Sequence, residues 1–168
     1  MGTFGTLQRY VKPSFKTIKT NWGFQISFGI LNLKLKKSNK NEAVMEDRAN
    51  KLLVKAAQKL NQANQELYKP EEDIVSFLVC KNSQFAIENY LKGYLLKNGI
   101  EPSELKTIES LYKECVKINK AFKKVDLTQF DCKIHRTELR YCNEVSKVSH
   151  CFDVANSLDT LLREQKVI

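Results

Sequence analysis

Residues 70–99 read Pro70-Glu-Glu-Asp-Ile-Val-Ser-Phe-Leu-Val-Cys-Lys-Asn-Ser-Gln-Phe-Ala-Ile-Glu-Asn-Tyr-Leu-Lys-Gly-Tyr-Leu-Leu-Lys-Asn-Gly99. Proline can serve as a first helical residue, and Glu71, Glu72 and Asp73 put negative charge where the helix dipole favours it. Gly99 is the residue type that ends a helix at C′, and Pro102 blocks continuation. The stretch therefore predicts a helix from about Pro70 to Asn98. At 100° per residue, Ile74, Phe77, Leu78, Phe85, Ile87, Tyr90, Leu91, Leu95 and Leu96 take up most of its circumference. A helix apolar nearly all round is a central one, touched by several others.

The flanking sequence supplies those others. From Glu42 or Met45 to about Tyr68, the residues Ala49, Leu52, Leu53, Ala56, Ala57, Leu60, Ala63 and Leu67 recur at spacings of three and four. A third helix is expected from Thr107, a good N-cap, to Ala121, with Ile108, Leu111, Tyr112, Cys115 and Ile118 as its stripe. Asp126 can cap a short turn through Phe130. A last helix is expected from Glu138 or Asn143 to Glu164, with Val145, Val148, Phe152, Ala155, Leu158 and Leu162 facing inward. Four or five helices with short connections make an all-α antiparallel bundle.

Residues 1–44 stand apart. The chain carries 28 Lys+Arg and 19 Asp+Glu over 168 residues, a net charge of +9. Arg9, Lys12, Lys16, Lys19, Lys34, Lys36, Lys37 and Lys40 fall in residues 1–41, which hold no acid, so nearly all the excess lies there. Such a head can bind phosphate backbones or an anionic surface, or simply aid solubility. Tyr10, Phe15 and Trp22 interleave with its bases, the mix that holds single-stranded nucleic acid. Trp22, Phe24, Ile26, Phe28 and Ile30, then Leu31, Leu33 and Leu35, alternate with other residues and read as one or two strands. Ser38-Asn39-Lys40-Asn41 reads as a polar linker. The division expected is a basic, irregular or β-like extension over 1–44, or a start assigned too early, and a helical domain over 45–168.

Composition sets further bounds. Apolar residues make up 42% of the chain, enough for a packed core without disulfides. Cys80, Cys115, Cys132, Cys142 and Cys151 are odd in number and contain no C-x-x-C pair. They read as small apolar residues of a reduced, cytoplasmic protein. With only His135 and His150 beside them, no metal spacing is present, and no cofactor motif such as a P-loop or G-x-G-x-x-G appears. No run of 18 apolar residues is present, so no membrane-crossing helix is expected.

Gln84, Ala86, Glu88, Leu91, Lys92, Leu95, Leu96 and Gly99 resemble the second helix of HEPN domains (higher eukaryotes and prokaryotes nucleotide-binding), which reads roughly Gln-Ala-x-Glu-Lys-x-Leu-Lys-Ala-Leu-Leu, then Gly. Thr107-Ile-Glu-Ser-Leu111 resembles the family's Thr-His-Asp-Leu segment without its His. Arg140-Tyr141 resembles the Arg-Tyr that often precedes the last helix. The resemblance covers about residues 45–165. It implies a compact helical bundle, often a homodimer, in toxin–antitoxin, defence or RNA-processing systems, sometimes beside a nucleotidyltransferase-like partner. It also makes Glu88, Lys92 and Gly99 structural residues. Many members are metal-independent ribonucleases carrying Arg, four to six residues, then His. Here the positions that would hold the Arg are Asn143, Glu144 and Val145 for His150, and Thr128, Gln129 and Phe130 for His135. The motif is absent, which points to a non-catalytic module that binds nucleic acid, a nucleotide or a protein.

The nearest catalytic substitute is Arg140 with His150. On one helix they lie about 15 Å apart along the axis, so they meet only across a dimer. Lys133, His135, Arg136 and Arg140 form a basic cluster suited to phosphate, set among Glu138 and Glu144. Ser146, His150 and Asp153 share a helix face opposite the apolar stripe, where a solvated polar surface is the simpler reading than a triad.

Overall fold

The computed structural model describes residues 26–70, 76–128, 130 and 145–168, with side chains from residue 41 onward and, in the last segment, from 148. Its elements are α1 (Ile26–Leu67), α2 (Ser76–Lys97), α3 (Ile108–Ile118), a 3-10 turn (Lys120–Lys124) and α4 (Val145–Glu164). Among the described residues there is no strand. Contacts divide the chain into residues 1–37 and a compact bundle of residues 38–168. The bundle is all-α, as expected.

The β-like reading of the head is corrected where it can be tested: Ile26–Leu35 is helical, and so is the expected linker Ser38–Asn41. In a dense apolar run both periods coexist. Ile26, Ile30 and Leu33 fit i, i+4, i+7 as well as Phe28 and Ile30 fit alternation, and periodicity alone does not separate helix from strand. Ser and Asn cost only a few tenths of a kcal/mol each against Ala in a helix. No proline lies between Pro13 and Pro70 to stop the helix. Trp22 and Phe24 lie outside the described residues.

Within the bundle, α2 is the central helix. Its residues from Ala86 to Leu96 are buried apart from the half-buried Asn89 and Lys92. Three helices touch it. Against α1, the pairs Lys97–Glu46, Gly93–Leu53 and Lys59–Asn82 run in opposite order along the two chains, so the helices are antiparallel. Against α4, Cys80 meets Cys151 and Tyr90 meets Asp159, so these helices run parallel. Against α3, the Cys115 thiol donates to the Leu91 carbonyl at 3.7 Å. The core joins Leu53, Ala56 and Leu60 of α1, Ile87, Tyr90 and Leu91 of α2, Ile108 and Leu111 of α3, Phe122, and Leu158 and Leu162 of α4. The N-terminal half of α2 departs from the all-round expectation: Phe77, Leu78 and Phe85 are each about two-fifths exposed.

Local chemistry sets the ends. Thr107 Oγ1 accepts from the Ser110 amide at 3.1 Å, and Ser110 Oγ accepts from the Thr107 amide at 3.2 Å, a reciprocal box with Ser in the usual Glu position. α3 stops three residues before Ala121. Asn119 turns extended, and its Oδ1 captures the Ala121 amide, starting the 3-10 turn instead. Asp126 accepts from the Thr128 amide at 2.8 Å, and Phe130 N–H bonds to Leu127 O, so the short turn anticipated there is present.

Helices α2 and α4 end on the same device. Gly99 has φ +76°; its amide bonds to Leu96 O and the Ile100 amide to Leu95 O. Lys166 has φ 56°; its amide bonds to Arg163 O and the Val167 amide to Leu162 O. Both are Schellman ends with the C′ residue in the left-handed region. One has glycine there and the other a lysine, which carries the Cβ penalty. We therefore expect opposite signs from two substitutions. Gly99→Ala should lower stability by about 1 kcal/mol, and Lys166→Gly should raise it by about 0.5–1 kcal/mol, read as shifts in the urea midpoint.

Candidate nucleic-acid or nucleotide site

α4 carries His150, Asp153 and Ser157 at i, i+3 and i+7, which places them on one face. Lys124 and Asp126, from the end of the 3-10 turn and just after it, and Phe130 lie against this face. Together they enclose a cleft of about 250 Å³ lined by Lys124, Asp126, Phe130, His150, Asp153, Val154 and Ser157. Phe130 and Val154 are buried and form its apolar floor, while His150 is half-buried at the wall. The cleft offers an imidazole, two carboxylates, a hydroxyl and one ammonium. Imidazole and carboxylate are proton-transfer groups. One lysine against two aspartates is not, by itself, a clamp for phosphate.

Asp126 also lines a second, larger cavity of about 420 Å³, with Glu109, Tyr112, Lys113, Lys123, Val125, Leu127 and Thr128. Tyr112 shapes it: its hydroxyl is shared between the Phe122 carbonyl at 2.9 Å and the Val125 carbonyl at 3.1 Å. Burial, and then the negative charge of Asp126, push the Tyr112 hydroxyl above its ordinary range. The hydroxyl therefore stays protonated and keeps the turn folded. Lys113 is paired to Glu109 at 2.8 Å. Among the described residues, no group of three or more His, Cys, Asp or Glu is arranged to hold a metal ion. Among them, too, no helix is long and apolar enough to cross a membrane.

Of the residues singled out from sequence, His150 and Asp153 are brought to one cleft. Lys133, His135, Arg136 and Arg140 lie outside the described residues, as does the side chain of Ser146. Glu88 and Lys92 form an ion pair on α2 with the carboxylate nearly buried. Lys124, Asp126 and Ser157 were missed as site residues. Asp126 was legible only as a cap, and Lys123-Lys124 gave no periodic or motif signal. Only the fold sets that turn against α4.

No curated protein and no solved structure matches the chain. A family model does: the HEPN domain matches residues 49–164, a span that runs from the buried start of α1 in the bundle to the last residue of α4 and holds both cavities. The chain therefore belongs to the HEPN domain family.

Proposed function

We propose that this protein is a non-catalytic HEPN module that binds RNA or a nucleotide. It would act as a homodimer within a toxin–antitoxin or defence pair, with a nucleotidyltransferase-like protein as its partner. The observation that carries the binding reading is the segregated charge: eight basic residues and no acid in residues 1–41, on a chain whose remainder is nearly neutral. The family's nucleotide- and RNA-related work supports the choice of ligand. The lack of an arginine separated by four to six residues from either histidine supports a binding role over a catalytic one. Phe77, Leu78 and Phe85, exposed on one face of α2, support pairing with a second copy.

Binding to phosphate should depend steeply on salt. If all eight basic residues meet single-stranded RNA, the log–log slope is about −5 to −6. Replacing the eight by glutamine in the full chain should cost at least about a hundredfold in affinity at low salt, measured by fluorescence anisotropy. Affinity unchanged by those replacements would move the binding surface off the head.

A second reading is a ribonuclease whose Arg140 and His150 come from two chains. The His150 cleft, with Asp126, Asp153 and Ser157 beside the imidazole, favours it. It predicts RNA cleavage that His150→Ala abolishes while binding persists. A third reading, a module that docks only to protein, predicts neither RNA binding nor its salt dependence.

A further inference from the structure

Cys80 of α2 and Cys151 of α4 are 71 positions apart in sequence, yet their Sγ atoms lie 3.4 Å apart in the core. They are 1% and 2% exposed. Gln84, also buried, donates its Nε2–H to Cys80 Sγ at 2.9 Å and fixes that sulfur on the α4 side of α2. Cys115 is buried as well, but its thiol points to the Leu91 carbonyl. Among the described residues, the three buried thiols thus fall into a facing pair and a separate one.

We propose that Cys80 and Cys151 are a peroxide-responsive pair that closes to an intramolecular disulfide, pinning α2 to α4 beside the His150 cleft. A disulfide needs an S–S distance of about 2.05 Å, so the sulfurs must approach by about 1.3 Å, within reach of small side-chain and helix adjustments. The chemistry balances with hydrogen peroxide as oxidant. One thiolate attacks a peroxide oxygen; an S–O bond forms, the O–O bond breaks, and hydroxide leaves and is protonated to water. The second thiolate attacks the resulting sulfenic sulfur; the S–S bond forms, the S–O bond breaks, and hydroxide leaves, taking up the proton released by a thiol to give a second water. Two thiols lose two electrons and one peroxide gains them. Because both sulfurs are buried, peroxide reaches them through local opening of α4, which makes the reaction slow and its product well protected once closed.

The position gives the bond a consequence. Cys151 directly follows His150, and Val154, which floors the cleft, lies one turn further on. Oxidation ties that turn of α4 to the central helix, while reduction releases it.

The test uses the full chain, reduced and desalted, then treated with hydrogen peroxide. Remaining thiols are alkylated in denaturant, and the peptides are mapped without reduction by mass spectrometry. The expected result is a Cys80–Cys151 cross-linked peptide as the main product, with Cys115 recovered alkylated. The thermal midpoint should rise by on the order of 10 °C and fall back with dithiothreitol. Cys132→Ser with Cys142→Ser should leave the cross-link intact. Recovery of Cys80 and Cys151 as alkylated thiols, their linkage to Cys132 or Cys142 instead, sulfinic acid in place of a cross-link, or loss of the cross-link in the double variant would each overturn the proposal.

Discussion

Gly93→Val is expected to remove most of the stability of the bundle. A Cβ built on Gly93 meets Leu53 Cγ and Cδ2 at 2.8 Å and the Ala49 carbonyl oxygen at 3.3 Å. Leu53 is 3% exposed and Ala49 is fully buried, so neither has solvent to move into. Close packing makes such a misfit costly, about 1–3 kcal/mol for one added methylene and more for a branched side chain. Gly93→Ala is the sharper experiment because two terms oppose. Alanine gains about 1 kcal/mol of helix propensity over glycine, and the clash takes back more. The net expectation is a loss of about 1–2 kcal/mol in urea denaturation followed by circular dichroism. Leu53→Ala alone should cost about 2–5 kcal/mol through the cavity it leaves. Combined with Gly93→Ala it should cost less than the sum, because the new methyl enters that cavity. A Gly93→Ala variant more stable than the parent would show that α1 and α2 do not meet this closely.

Stability should also fall steeply on the alkaline side. Burial first, then a hydrogen bond to Asp159 and the charge of Asp159, hold the Tyr90 hydroxyl far above its ordinary 10.0, with Arg163 pulling weakly the other way. Burial, and secondarily Glu114, likewise push the Cys115 thiol far above its ordinary 9.0, against a smaller lowering by a backbone hydrogen bond. For both groups the folded chain keeps a proton that the unfolded chain releases. Their contribution is therefore fully present below the unfolded values and is lost as pH rises, from about 9 for Cys115 and about 10 for Tyr90. Each proton is worth about 1.4 kcal/mol per pH unit, so the loss by pH 11 is on the order of 4 kcal/mol. That is a large share of the stability of a typical domain. Urea midpoints measured between pH 8 and 11 check it. Tyr90→Phe should lower stability at neutral pH by about 1.5–3 kcal/mol, the cost of a hydrogen bond to a charged group. It should also flatten the alkaline slope by one proton. A neutral-pH loss with an unchanged slope would mean that Tyr90 does not titrate with unfolding.

Both predictions rest on contacts of α2, and that helix shows how far sequence reading reaches. Its existence and central place were legible because Ile87, Tyr90, Leu91, Leu95 and Leu96 cover more of the helix than one neighbour can bury. Its C-terminal end was legible because Gly99 is the residue a left-handed C′ position requires. The exposure of Phe77, Leu78 and Phe85 was not, since an apolar residue reads the same whether or not a neighbour reaches it. Over Ile26–Leu35 apolar residues are dense and both periods fit, so the alternation there does not tell strand from the helix that forms.

The candidate site was legible only in part. His150 and Asp153 fall on one face by spacing alone. Lys124, Asp126 and Phe130 join them through a turn that no periodicity predicts, because Asn119 diverts the chain out of α3. By itself, the sequence determined the helices of the bundle, two of their caps, the family and the segregation of charge. These are local or compositional properties, fixed by neighbours within a few residues. The tertiary structure alone decided that Gly93 faces Leu53, that Cys80 meets Cys151, and that Asp126 stands between two cavities. Each of these joins residues tens of positions apart, and only the packing of whole helix faces brings such residues together.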